Sequence, residues 1–285
     1  MKSKYTAAGA STVSFVVGET CLDFSYKGLT YTQAEQLASS LAHNTTVLTL
    51  NLTSCLLTAA SAKCIAKALH TNTTLQELNF SLNFAGNKGA KYFAEALAHN
   101  TTLRDLNLAR NKCGDAAAKH LEKALMTNTS LLVLKLSQND IGDRGAEDIA
   151  SGLIENFSLQ TLDLAQNQIT DEGMEFIANA ISANDTLRVL EISFNEFTHV
   201  GLRYLAAVMR RSNTTLQSIG ISLLIGADRA IEEIHKCTAA NVTLSVEDNA
   251  LEFESESDTR SSRKRSGESL DPDDLCVKHT KISGL

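Results

Sequence analysis

Hydrophobic and polar positions recur along this chain with a step of 28 residues. The segments Asn44-Thr45-Thr46-Val47, Asn72-Thr73-Thr74-Leu75, Asn100-Thr101-Thr102-Leu103 and Asn128-Thr129-Ser130-Leu131 begin one step apart, and Asn156 and Asn184 continue the series. Asn213 follows after 29 residues and Asn241 after another 28. A fixed step of this size marks a solenoid of stacked units. Each unit reads L-x-x-L-x-L-x-x-N, as in Leu103, Leu106, Leu108 and Asn111. The L-x-L core predicts a short strand with alternate side chains pointing inward. A helical half follows, for example over Gly142 to Leu153. One of its apolar columns is Leu37, Ile65, Phe93, Leu121, Ile149, Ile177 and Leu205; the other is Leu41, Leu69, Leu97, Leu125, Leu153, Ile181 and Met209. A spacing of four between the columns places both on one helix face. Asp115, Asp143 and Asp171 stand where an N-cap acceptor would satisfy the first free helix amides.

The register extends to both ends in degenerate form, as terminal units of a solenoid do where one side faces solvent. Leu22 and Phe24 lie three steps before Leu106 and Leu108, so Thr20–Leu41 reads as a first unit. Leu216, Ile219 and Ile221 still read as a strand, with Leu224 in place of the Asn, and Leu244 and Val246 as a last capping strand. Neighbouring strands sit about 4.8 Å apart, whereas packed helices need about 8–10 Å. Stacking both in every unit forces the helices to the outside of a curve. The expected fold is therefore an α/β right-handed solenoid, a horseshoe with a concave parallel sheet and helices on the convex side. It is expected to occupy residues 1–249, with a separate polar tail over 250–285.

The N-T-T-L openings and the passage Asn139-Asp140-Ile141-Gly142-Asp143-Arg144-Gly145-Ala146 resemble the ribonuclease-inhibitor-like subfamily of leucine-rich repeats. The chain is similar to the sensor repeats of NOD-like receptors and to leucine-rich-repeat effectors of intracellular, Legionella-type bacteria. The resemblance runs from about Val16 to Glu247. It implies a non-enzymatic surface for binding a protein partner. It says little about which partner, because the motif residues are structural.

Composition agrees with a thin, regular interior. Aromatic residues are 5% of the chain, there is no Trp, and the single Pro, Pro272, lies in the tail. The net charge is −7; residues 250–285 hold 6 basic and 8 acidic side chains, or −2, which leaves −5 for the rest. A mildly acidic fold is not expected to bind nucleic acid, which needs phosphate-neutralising Lys and Arg. No stretch is long and apolar enough to span a bilayer. The N-terminus, Met1 to Val17, reads as a capping strand rather than a signal peptide, its apolar run being broken by Thr6, Ser11, Thr12 and Ser14. The six Cys show no CxxC pair. Cys113 shares a column with Leu29, Leu57, Ala85, Ile141, Ile169 and Phe197, which makes it a buried small hydrophobe. Reduced thiols and a cytoplasmic location follow.

Several patterns invite a chemical reading. Ten N-x-S/T sequons occur, at Asn44, Asn51, Asn72, Asn79, Asn100, Asn128, Asn156, Asn184, Asn213 and Asn241. Eight are the repeat opening, where Asn is read as ending a helix in the left-handed conformation that it tolerates. Asn83, Asn111, Asn139, Asn167 and Asn195 form a polar column read as a buried ladder bonded to adjacent loops, with Cys55 and Lys27 in the same position of earlier units. His43 and His99 share a register at helix C-termini, where a partial positive charge is favourable. No His lies near a Cys or acid at metal-ligand spacing, and no nucleophile–base pair is visible, so neither a metal, a cofactor nor catalysis is expected. Gly86-Asn87-Lys88-Gly89 lacks the spacing of a phosphate loop.

The expected site is the concave face, where solenoids bind. Its candidate residues are Glu77, Asp105, Lys135, Asp163 and Glu191 beside the inward leucines, with Arg110 and Phe194 at the ascending edge. Asp23, Asn79 and Asn107 flank them. Acids outnumber bases, which favours a basic partner, against the plain alternative of a solvated sheet face. The tail from Ser255 to Asp274 is rich in Ser, Glu and Arg and is expected to be disordered. Its cluster Arg260-Ser261-Ser262-Arg263-Lys264-Arg265 reads as a solvated segment, with an import signal or a kinase site at Ser266 as alternatives. The ending Ser283-Gly284-Leu285 matches a short carboxylate-ligand pattern. The tail also resembles the export signals of type IV secreted effectors. The functional expectation is a monomeric interaction scaffold, read as a bacterial effector acting in a host cell. A sensor repeat protein and an enzyme with an unrecognised site are the alternatives.

Overall fold

A computed structural model describes residues 18–211, 215–222, 231–232 and 243–247. The chain divides into two units, Met1–Asn249 and Ala250–Leu285, and all of the described residues lie in the first. The N-terminal segment to Val17, the basic cluster and the rest of the tail fall outside them.

Among the described residues nine strands form one sheet in strict chain order. They are β1 (Cys21–Asp23), β2 (Thr49–Asn51), β3 (Glu77–Asn79), β4 (Asp105–Asn107), β5 (Val133–Lys135), β6 (Thr161–Asp163), β7 (Val189–Glu191), β8 (Ser218–Ser222) and β9 (Thr243–Glu247). Every neighbouring pair is parallel, and the register from β1 to β7 advances by one unit at each step, Leu22 facing Leu50, Leu50 facing Leu78, and so on to Leu190. Helices follow in alternation: α1 (Tyr31–Ala42), α2 (Ala59–Leu69), α3 (Gly86–Leu97), α4 (Asp115–Leu125), α5 (Asp143–Ile154), α6 (Asp171–Ala183) and α7 (His199–Arg211). A parallel strand must be reached by a crossover, and each helix serves as one. The α/β solenoid read from the sequence is therefore the fold, with its degenerate first unit and its last capping strand.

The core is one continuous stack. The central Leu of each strand from β1 to β7, the Leu or Val that opens the unit and both helical columns are buried. The thin layer between sheet and helices accepts few rings; Phe80 and Phe93 fill it in one unit, packed edge to face with centroids 5.1 Å apart. Cys113 is fully buried, and burial pushes its thiol up to about 12.

Three columns of polar side chains join each unit to the next. The first is the expected ladder. Asn139 Nδ2 donates to Leu108 O (3.0 Å), Leu136 O (2.9 Å) and Ser137 O (3.3 Å), while its Oδ1 accepts from the N–H groups of Asn111 (3.0 Å) and Cys113 (2.9 Å). Asn83, Asn111, Asn167 and Asn195 repeat the pattern. In the earlier unit the Cys55 thiol donates to Phe24 O at 2.9 Å, which reproduces the cross-unit bond of the amide it replaces. Burial raises that thiol to about 11, so it stays a donor. Lys27 holds the first position, and its amine reaches Asp23 O at 3.0 Å.

The second column corrects the reading of the unit openings. None of the described opening asparagines is left-handed; Asn184, for instance, has φ −95°. They form another ladder instead. Asn128 Nδ2 donates to Leu97 O (2.7 Å) and Asn100 O (3.0 Å), and its Oδ1 accepts from Ser130 N–H (2.9 Å) and Leu131 N–H (2.7 Å). Leu97 is the last residue of α3, so the amide satisfies a carbonyl that the helix end leaves open and at the same time shapes the descending turn. Asn72, Asn100, Asn156 and Asn184 do the same.

The third column corrects the capping assignment. The N-caps are Gly114, Gly142 and Thr170, and Asp115, Asp143 and Asp171 are the first residues of their helices. Each carboxylate caps the helix of the following unit. Asp143 Oδ1 accepts from Thr170 N–H (2.8 Å) and Gly173 N–H (3.0 Å), and Asp171 Oδ1 from Thr198 N–H (2.8 Å) and Gly201 N–H (2.7 Å). Asn87 holds the same position earlier and accepts from Gly114 N–H at 2.7 Å. Glycine at position 173 is required by this approach, because a Cβ there would lie 2.5 Å from Asp143 Oδ1. Burial pushes the Asp171 carboxyl up, but the bonds from Thr198 and Gly201 outweigh it and hold the group below the usual carboxylate value.

The left-handed backbone sits elsewhere, chiefly one residue before the first ladder, and also one residue after it at Leu56 and Lys112. Tyr26, Ser54, Leu82, Arg110, Gln138, Gln166 and Phe194 all have φ between 54° and 60°. From Tyr26 to Gln166 their N–H groups carry the sheet pairing onward past the strands, as in Arg110 N–H to Ser137 O at 3.0 Å, while Phe194 N–H bonds the Ser222 hydroxyl.

Two predictions follow from these columns. Asn139→Ala and Asn128→Ala should each cost roughly 1–3 kcal/mol in chemical denaturation, since each strands buried backbone partners in two units; a loss for Asn139 alone would reduce the second ladder to ordinary helix ends. A carboxylate whose folded pKa is lowered stabilises fully above its unfolded value and loses that contribution as pH falls through the folded one. Melting temperature should thus drop on acidification below about pH 4, and Asp171→Ala should be less stable at neutral pH with a shallower acid limb.

Candidate functional site

The outward face of the sheet is built by two side-chain columns that flank the buried leucines. The strand period of two leaves no other place for them. The first column runs Cys21, Thr49, Glu77, Asp105, Val133, Thr161, Val189; the second runs Asp23, Asn51, Asn79, Asn107, Lys135, Asp163, Glu191. Glu77 and Asp105 face each other in the first column, and Lys135, Asp163 and Glu191 follow one another in the second. The expected sheet residues therefore share one surface.

Part of this polarity is structural. Asn51, Asn79, Asn107 and Asp163 accept the N–H two residues on, at 2.9–3.1 Å, and so start the ascending turn. Asp163 Oδ2 also takes the Ser137 hydroxyl at 2.7 Å. Lys135 Nζ lies 3.3 Å from Asp105 Oδ2, and Thr49 Oγ1 donates to Glu77 Oε2 at 3.3 Å. Ser137 was not singled out in the sequence, because a lone Ser in a turn column carries no signal.

Arg110 and Phe194 do not stand on the sheet face. Both lie in the left-handed column of the ascending edge, with φ 54° and 56°. Exposed apolar side chains gather on the same edge in the early units, Tyr26, Leu56 and Phe84. The sequence did carry a trace of them: Leu56 and Phe84 interrupt a column that otherwise reads Gly28, Lys112, Asp140, Gln168 and Glu196.

Among the described residues no group of three or more His, Cys, Asp or Glu is placed to hold a metal ion. The described thiols of Cys55, Cys64 and Cys113 take part in no disulfide. No described helix is long and apolar enough to cross a membrane. His70 and His99 stack with ring centroids 5.5 Å apart at the helix ends.

A parallel sheet of leucine-centred strands, each returned by a helix, defines the class of repeat solenoids that present a sheet face. The Leucine Rich repeat family model matches residues 43–66, 71–94, 99–121, 127–150, 155–178 and 183–206, and the chain belongs to that family. No curated protein matches it. Among solved structures it is similar to leiomodin-1 actin-binding site 2, at 23% identity and a TM-score of 0.45, over 51% of this chain and 87% of that one. It is also similar to the tropomodulin C-terminal domain of Caenorhabditis elegans, at 14% identity and a TM-score of 0.44, over 51% and 91%. At these values the likeness carries nothing about what this chain binds.

The second ladder makes a prediction about the sequons. Asn72, Asn100, Asn128, Asn156 and Asn184 are buried with their amides bonded on both atoms. Expressed through a glycosylating secretory route, the folded chain should carry no glycan at these five positions, as peptide mass analysis would read; modification at any of them would show that the ladder is open.

Proposed function

We propose that this chain is a non-enzymatic, monomeric protein-interaction scaffold that takes a partner with a basic surface on the outward face of its sheet. One observation carries the reading. Glu77 stands opposite Asp105, and Asp163 opposite Glu191, as like-charged pairs in register on adjacent strands. Directly opposed like charges cost a sheet stability, on the order of 0.2–1 kcal/mol a pair. Asp23 adds to the same field, and Lys135, already beside Asp105, is the one cation in the two described columns. A cationic partner relieves that repulsion, and complementary charge steers its approach and fixes its register.

Residues 1–249 are the scaffold in this reading and 250–285 an appended tail. Within the family we place the chain among the ribonuclease-inhibitor-like repeats; the support is the 28-residue unit with a full helix in each crossover from β1 to β8. The bacterial-effector and receptor-sensor readings, and a cytoplasmic location, rest on the resemblance and tail composition alone.

The test combines Asp105→Lys and Glu191→Lys with Asp163→Asn, which keeps an oxygen for the Ala165 N–H. Proteins captured by the parent should be basic, and the variant should bind them roughly tenfold or more weakly. Its stability should stay within about 1 kcal/mol of the parent, since two like-charged pairs are removed while Asp105→Lys exchanges the ion pair with Lys135 for a new like-charged contact. Undiminished affinity in a folded variant would exclude the sheet face.

A further inference from the structure

Two side-chain columns line the turns of the ascending edge. One runs Tyr26, Ser54, Leu82, Arg110, Gln138, Gln166, Phe194, and the other Gly28, Leu56, Phe84, Lys112, Asp140, Gln168, Glu196. Beyond Lys112 the second column is polar and acidic, as exposed turns usually are. In the first three units the edge is apolar instead. Tyr26 is 75% exposed, Leu56 62% and Phe84 49%. They stand on neighbouring turns: Leu56 Cδ1 is 3.7 Å from where a Gly28 Cβ would be, and Phe84 N–H bonds Leu57 O at 2.7 Å.

Leu56 is unfavourable on two counts. A large apolar side chain is left in water, and it is carried on a backbone with φ +60°. Gly28, in the same column at φ +56°, shows that glycine serves this turn without either disadvantage. Such a residue is better explained by contact than by folding.

The charge around the strip says what kind of contact. Lys112 Nζ lies 5.6 Å from the Phe84 ring centroid, and Arg110 stands in the neighbouring column of the same unit. The apolar strip is flanked by cations, which is the complement of a segment whose apolar side chains are flanked by carboxylates. We propose that the strip of Tyr26, Leu56 and Phe84, flanked by Arg110 and Lys112, docks a partner segment of mixed apolar and acidic side chains. This edge is distinct from the sheet face, and the two surfaces ask for opposite charge.

A random peptide library displayed on phage, panned on the full chain, tests this. Selected peptides should combine Leu or Phe with Asp or Glu. By fluorescence anisotropy, Leu56→Ser with Phe84→Ser, and separately Arg110→Glu with Lys112→Glu, should each weaken them by roughly tenfold or more. The sheet-face substitutions Asp105→Lys and Glu191→Lys should not. The charge variant keeps the apolar strip, so it decides the matter should the serine variant melt early. Peptides without acidic bias, peptides that bind both edge variants as well as the parent, peptides lost only with the sheet-face variant, or no enrichment at all would overturn the proposal. So would a concentration-dependent dimer of the parent that the edge variants abolish, since a second copy would then occupy the strip.

Discussion

Every unit of this molecule leaves backbone amides and carbonyls open at its turns and helix ends, and a neighbouring unit must close them. That constraint decides which polar residues can recur. An Asn amide supplies donor and acceptor on one short stem, so it fits both the ascending and the descending turn. A carboxylate supplies acceptors alone and is found where only N–H groups need closing, at the start of the next helix. The hydrophobic stack provides most of the burial, but leucine columns by themselves do not fix how one unit is rotated or shifted against another. The polar columns do, because each of their bonds has a direction and a length.

The same constraint leaves the sheet face to function. With the leucines turned inward and the turns closed by side chains, the residues beside each strand centre are under little structural demand. Asn51, Asn79, Asn107 and Asp163 keep a local role in starting the turn. Glu77 and Asp105 stand opposed in register, as do Asp163 and Glu191. Like charge tolerated in this way is what a surface adapted to a cationic partner would show.

Much of this was legible in the sequence. The step of 28, the L-x-L cores and the two helical columns define strands, helices and their order, because periodicity is the direct imprint of burial. The first Asn ladder was readable too, since a polar residue at a fixed place in an apolar register must be satisfied. What escaped was the direction of side chains across unit boundaries. Asn128 at a helix end is equally consistent with a left-handed terminus, and Asp143 with capping its own helix; only coordinates show that each serves a neighbouring unit. The opposed pairs on the sheet depend on register, which one chain's sequence implies but does not display. The apolar strip was present as a departure from its column at Leu56 and Phe84, a signal that repeat-by-repeat alignment of the edge turns would have raised.

Hydrogen exchange measured on the full chain tests the interlocking most directly. The amides of Leu57, Ala85, Cys113 and Ile141 are each accepted by an Asn carbonyl of the following unit. They should exchange together and only as slowly as the whole domain opens, and Asn139→Ala should release Cys113 before the others. Exchange at these amides as fast as in an exposed turn would contradict the account.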